Sequence, residues 1–262
     1  MTNYRALFLD IDGTILRPDH TIEESTKQAI KQVNEKGIEV FLATGRPLHE
    51  VDTIADELNI HSFIGYNGAF ATYDNKEIVN VTMDASTIKQ YLSVAKTHGH
   101  ELVLYTSNRS LFTSLDTGEV KEFIKRFEIQ KYELFTLDNI NDILGITLIN
   151  LNEDELALYQ TDNQIYMSQV NVDGLRHCYD VIQEKVNKGS AIKTILSMLN
   201  IPKEKAIAFG DGMNDKAMLE YVGESFAMGN ANPELFNYAK HRTTDVTDSG
   251  IYNGLRKLGL VD

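Results

Sequence analysis

Cysteine is almost absent from the 262 residues: Cys178 stands alone, so no intrachain disulfide is available and the thiol reads as a packed side chain in a reducing, cytoplasmic protein. Long apolar runs are missing too. No stretch approaches the roughly 18 residues that a membrane span needs, and the first apolar segment follows Met1-Thr-Asn-Tyr4 with no basic and then hydrophobic leader. Neither export nor a membrane anchor is predicted. Basic residues are outnumbered, 25 against 38 acidic, and the net charge of −13 repels DNA, RNA and anionic lipid. Any phosphate-bearing ligand must therefore be drawn by a local site. Repeats, low-complexity tracts and Gly/Ser linkers are also lacking, so domains within this chain meet at short hinges. What is present is a globular composition, 42% hydrophobic and 24% charged, and enough length for one large domain or two ordinary ones.

The order of elements narrows the fold. An apolar strand at Arg5–Leu9 is followed by a helical face of Ile22, Thr26, Ala29, Ile30 and Val33, then Gly37, then a second strand at Ile38–Ala43. Pro47 suits a first helical turn, with Leu48, Val51, Ile54, Ala55 and Leu58 at helical spacing, and Phe63–Gly65 reads as a third strand end. Such alternation predicts a parallel sheet with right-handed crossovers. After a hairpin at Phe70–Tyr73 and Glu77–Val81 the pattern changes. Helices at 86–98, 120–127 and 153–159 mix with strands at 102–106, 110–114, 144–150 and 164–169. The first pattern then resumes with a helix after Ser190, a strand at Lys205–Phe209, a strand near 225–228 and a helix opened by Asn232 and Pro233. The predicted fold class is α/β: a Rossmann-like parallel-sheet core with helices on both faces, residues 1–83 and 184–262, carrying an inserted α+β domain at 84–183.

Four clusters fall at strand ends or helix starts of that core: Asp10 with Asp12, Thr44 with Gly45, Lys188, and Asp211 with Asn214 and Asp215. Singly, each has a bland explanation as a turn, a helix cap or a solvated side chain. Jointly they concentrate carboxylates at one edge of one sheet, where open α/β sheets bind ligands. Asp10, Asp12 and Asp211 with a backbone carbonyl make an all-oxygen set without His or Cys, suited to a hard divalent cation and naturally Mg²⁺. That ion, Lys188, the Thr44 hydroxyl and backbone amides near Ile11–Gly13 and Gly45 can hold a phosphate dianion, which makes phosphoryl transfer the reaction class.

Asp10-Ile-Asp-Gly-Thr14, Thr44-Gly-Arg46, Lys188 within Asn187-Lys-Gly-Ser190, and Gly210-Asp-Gly-Met-Asn-Asp215 together resemble the four motifs of the haloacid dehalogenase superfamily of phosphohydrolases, in its Cof-like branch. Tyr66-Asn67-Gly68 and Ser249-Gly250 fit the same likeness, which spans the whole chain. The resemblance implies that Asp10 is the nucleophile forming an aspartyl phosphate and that Asp12 protonates the leaving alcohol and then deprotonates water. It implies Mg²⁺ on the Asp10 carboxylate, the Asp12 carbonyl and the Asp211 carboxylate, with Asp215 orienting that shell. Thr44, Gly45, Lys188 and Asn214 would grip the phosphoryl oxygens, and Arg46 would touch the substrate or the cap or form a salt bridge. The insertion would be a cap that excludes water and selects the substrate, with Tyr105, Arg109 and His177 as candidates. The expected function is hydrolysis of small phosphorylated metabolites, sugar phosphates foremost, with no nucleic-acid or membrane partner. A phosphomutase and a non-catalytic sensor of a phosphorylated ligand are the alternatives, and a homodimer is left open.

Overall fold

Every residue of Ala6–Leu9 (β1) is buried, as in a strand flanked by strands on both edges and covered on both faces. The computed structural model describes residues 4–160, 164–170, 172 and 174–262. In chain order β1 is followed by α1 (Glu24–Glu35), β2 (Glu39–Ala43), α2 (Asp52–Leu58), β3 (Phe63–Gly65), β4 (Phe70–Tyr73) and β5 (Lys76–Asn80). Next come α3 (Ala85–His98), β6 (Glu101–Tyr105), β7 (Ser110–Phe112), α4 (Gly118–Arg126), β8 (Tyr132–Leu134), β9 (Gly145–Ile149), β10 (Ile165–Gln169) and β11 (Tyr179–Gln183). The chain closes with α5 (Lys188–Met198), β12 (Ala206–Gly210), α6 (Lys216–Tyr221), β13 (Glu224–Ala227), β14 (His241–Arg242) and α7 (Gly250–Lys257).

Two compact units result, one of Met1–Arg46, Val51–Val79 and Asn187–Asp262, the other of Pro47–Glu50 and Asn80–Val186. The first holds a sheet in the order β14-β13-β12-β1-β2-β3-β4-β5, parallel from β14 to β3, with β4 antiparallel to β3. From β1 the order steps one way to β2 and β3 and the other way to β12, β13 and β14. Right-handed crossovers then set α1 and α2 on one face and α6 on the other. Buried Thr26, Ala29, Ile30 and Val33 give α1 its core stripe; α7 packs on α1, and α5 on α6. The reversal of order lies between β1 and β12, and the carboxyl ends of these two strands form the crevice in which such sheets bind ligands.

The second unit has a six-stranded sheet, β10-β11-β9-β6-β7-β8, antiparallel apart from the β7–β8 pair. Alternation along β6 feeds two cores. Leu102 and Leu104 join Ile88 and Tyr91 of α3, while Val103 joins Phe112, Cys178 and Phe123 of α4. Cys178 is thus a packed thiol, and burial pushes its pKa up to about 12.

Several local expectations needed correction. Glu153–Tyr159 and Pro233–Asn237 are 3₁₀ rather than α-helical, and Leu48–Glu50 forms a separate 3₁₀ turn before α2 begins at Asp52. Strands β8, β11 and β14 and helix α7 were not anticipated. Polar Asp180 and Gln183 break the apolar signal of β11, and Gly250 and Gly254 break that of α7.

Candidate active site

Strand register brings the motif loops together. Leu9 lies opposite both Phe209 and Leu42, so Asp10, Thr44 and Asp211 leave three adjacent strands at one edge. Asp10 donates its N–H to the Phe209 carbonyl at 3.1 Å, which holds the buried carboxylate beside β12. Gly13 turns the chain at φ +80°, and a methyl group there would come within 2.3 Å of Asp211 Oδ2. Only glycine lets the β1 loop lie this close to that carboxylate. Thr14 Oγ1 reaches Asp211 Oδ1 at 3.4 Å.

Lys188, the first residue of α5, is fully buried, and Asn187 caps the helix by accepting from Ser190 N at 2.9 Å. Its Nζ donates to Asp10 Oδ1 and Asp215 Oδ1, both at 2.6 Å. The other oxygen of Asp215 accepts from the backbone amides of Asp211 and Gly212, each at 3.0 Å. Asp215 therefore has both oxygens engaged and orients Lys188 and the β12 loop at once.

Carboxylate oxygens of Asp10, Asp211 and Asp215 all lie within 4.8 Å of one another. Three carboxylates against one ammonium leave an excess of two negative charges. Each like-charged pair at this range repels by roughly 3–4 kcal/mol at an effective dielectric of 20. Burial first, and the Asp215 charge second, raise the Asp10 pKa well above the ordinary carboxylate value, against the pull of Lys188. The same two causes lift Asp211 to about 6. For Lys188, burial works against the ammonium but the Asp10 and Asp215 charges outweigh it, so its pKa rises. An all-oxygen cluster with two negative charges in excess fits a hard divalent cation.

The remaining residues form a second layer of contacts. Asp12 and Arg46 make a two-pronged ion pair, Nε to Oδ2 at 2.8 Å and Nη2 to Oδ1 at 2.5 Å. Their side chains are 54% and 31% exposed, so the pair is worth only about 0–1 kcal/mol and is easily exchanged for another partner. Arg46 thus forms a salt bridge. Thr44 is buried, with Oγ1 accepting from Arg46 N at 3.0 Å. Gly45 is exposed next to it, and Asn214 Nδ2 donates to Asn67 Oδ1 at 3.0 Å. Asn67 was given no role from sequence. The available signal was its position at the end of β3, on the same edge as Asp10 and Thr44. In the second unit Tyr105 bonds to Thr147 at 2.8 Å, Arg109 pairs with Glu133 at 2.8 Å, and His177 is half-buried.

The sequence profile of the haloacid dehalogenase-like hydrolases matches residues 7–255. The chain belongs to this family. This hydrolase is 33% identical over 260 residues to YkrA of Bacillus subtilis strain 168, described as a putative phosphatase, with 98% of both chains covered. It superposes on the crystal structure of a hypothetical protein from Geobacillus kaustophilus HTA426 with a TM-score of 0.90 at 26% identity, covering 98% of this chain and 100% of that one. It shares the fold of BT4131, described as a HAD subclass IIB sugar phosphatase, at a TM-score of 0.82 and 23% identity over 98% and 100% of the two chains. It is a phosphatase of the superfamily, and its three clustered aspartates suit a divalent metal. Among the described residues no helix is long and apolar enough to cross a membrane.

Proposed function

We propose that the protein is a Mg²⁺-dependent phosphatase of small phosphorylated metabolites, sugar phosphates foremost, acting through an aspartyl phosphate on Asp10. The observation that carries this reading is the excess of two negative charges at Asp10, Asp211 and Asp215, fixed around one buried lysine. Asp10, Asp211 and the main-chain carbonyl of Asp12 would hold Mg²⁺, which supplies Lewis-acid charge neutralisation at the phosphoryl oxygens. Preference for sugar phosphates is supported by the description of BT4131 and by the fold in common.

The chain's own groups then divide the work. One Asp10 oxygen is held by Lys188, which leaves the other to attack phosphorus in line with the departing ester oxygen. Two of the three Lys188 donors are taken by Asp10 and Asp215, and the third would go to a phosphoryl oxygen. Asp12 gives its proton to the leaving alcohol, then takes one from the water that hydrolyses the acyl phosphate, which leaves it protonated for the next turnover. Thr44, Gly45 and Asn214 contribute donors around the transferred group.

The test is Asp10→Asn assayed with p-nitrophenyl phosphate and Mg²⁺. Turnover is expected to vanish while the far-UV circular dichroism and Tm stay close to wild type. Retained turnover removes Asp10 as nucleophile. Assaying sugar phosphates for released phosphate against positional isomers separates hydrolysis from mutase chemistry.

A further inference from the structure

The turn that follows β3 is strained without any local need. Tyr66 and Asn67 stand one after the other in the left-handed region, at φ 52° and 53°, ahead of Gly68 at φ 107°. Asparagine tolerates this region, but for a bulky side chain such as Tyr66 it costs about 1–2 kcal/mol, and Tyr66 is buried besides. Strain of this kind persists where surrounding contacts over-determine it, and it gathers at functional sites.

Those contacts run to three loops from distant parts of the sequence. Tyr66 N donates to the Arg46 carbonyl at 3.2 Å and Asn67 N to the Thr44 carbonyl at 3.1 Å, so the turn grips the Thr44-Gly45-Arg46 loop by its backbone. Gly68 lies so close to the chain entering α5 that a methyl group on it would come within 2.3 Å of the Asn187 carbonyl oxygen, one residue before Lys188. The Asn67 side chain completes the set. Its Oδ1 accepts from Asn214 Nδ2 at 3.0 Å, and its carboxamide overlies Gly45, where a methyl group would lie 3.0 Å from Oδ1 and 3.2 Å from Nδ2.

We propose that Asn67 is a positioning residue of the phosphate site: its carboxamide, lying over Gly45, fixes the rotamer of Asn214 and so joins the β2 and β12 loops across the cradle. The inference rests on the phosphatase reading given above. A free Asn214 has rotamers to lose when phosphate binds, whereas an Asn214 already bonded to Asn67 presents its amide in one orientation.

Two variants keep the backbone and change the carboxamide. Asn67→Gly adopts φ near +53° without strain and removes the side chain. Asn67→Asp also tolerates this region, keeps an oxygen facing Asn214 Nδ2, and adds a negative charge beside the cradle. With p-nitrophenyl phosphate and saturating Mg²⁺, Asn67→Gly is expected to lower kcat/KM about tenfold or more and to raise the competitive Ki of inorganic phosphate, with Tm within a few degrees of wild type. Asn67→Asp is expected to raise that Ki further. In the cycle with Asn214→Ala, the double variant Asn67→Gly/Asn214→Ala is expected to be no worse than Asn214→Ala alone, since Asn67 acts through Asn214.

Wild-type kcat/KM and phosphate Ki in Asn67→Gly would overturn the proposal, and so would losses that multiply in the double variant. If wild-type protein turns over no phosphate ester, the phosphatase reading falls and this inference with it; if wild type is active and Asp10→Asn is dead while Asn67→Gly is unimpaired, this inference alone falls.

Discussion

Lys188 is a buried cation whose charge is claimed by two carboxylates, and removing it exposes the cost of the arrangement. Lys188→Met leaves Asp10, Asp211 and Asp215 uncompensated, and breaking a buried pair of this kind costs about 3–5 kcal/mol. At pH 7.5 without metal, urea unfolding is expected to show a loss of that order, shrinking at pH 5 because protons then neutralise the excess charge. Asp211 gives a second signature. Its folded-state pKa of about 6 lies above the ordinary 3.8, so the folded protein binds the extra proton more tightly than the unfolded chain does. This group therefore favours folding below about pH 4, and that contribution is lost as pH rises towards 6. In urea melts, metal-free wild type is expected to lose about 1–3 kcal/mol of stability over this window relative to Asp211→Asn, and Mg²⁺, which Asp211 would ligate, is expected to remove that loss from the wild type. These side chains were legible in the sequence because carboxylates next to apolar strands have few innocent uses. Asn67 was not, because its meaning depends on Asn214, far along the chain, and on a backbone φ that no spacing reveals.

Among the elements, α7 shows where pattern reading failed and why. A helix that opens on Gly250 and carries Gly254 looks broken, yet both glycines serve close packing, Gly250 against Met228 and the Thr244 carbonyl and Gly254 against the sheet. A methyl group at Gly254 would stand 2.4 Å from Phe209 Cε1 and 3.1 Å from Phe226 Cδ1, rings that stack at 4.6 Å. Gly254→Ala should gain about 1 kcal/mol of helix propensity, but overpacking of about 1–3 kcal/mol opposes it. The expected result in a urea melt is net destabilisation, and a stabilised variant would show that α7 can move off the sheet at no cost. By contrast, β1, β2 and β12 were readable because buried parallel strands are uninterrupted apolar runs. Strand β11 was hidden because Asp180, whose pKa is raised by burial, accepts from Thr147 Oγ1 at 2.6 Å and so sits where an apolar residue would have marked the pattern.

For the molecule as a whole, the charge of −13 sets a long-range field that opposes its own anionic substrate. Raising KCl from about 10 mM to 150 mM shortens the Debye length from roughly 30 Å to 8 Å. At saturating Mg²⁺, kcat/KM for a dianionic ester is expected to rise over this range. A fall would mean that the local positive potential at the phosphate site extends beyond the cleft and dominates encounter.

Pairing of β1 with β12 also fixes when the protein can mature on the ribosome. Ala6 waits for Ala206, and until that late segment emerges one flank of the nascent central strand has no hydrogen-bonding neighbour. The unit spanning Asn80–Val186 has all the strands of its own sheet by then and can be complete first. Asp10 meets Lys188, Asp211 and Asp215 only once the chain has emerged through residue 215, so a chain stalled before that point carries a finished appendage, an unprotected template for aggregation, and no chemistry.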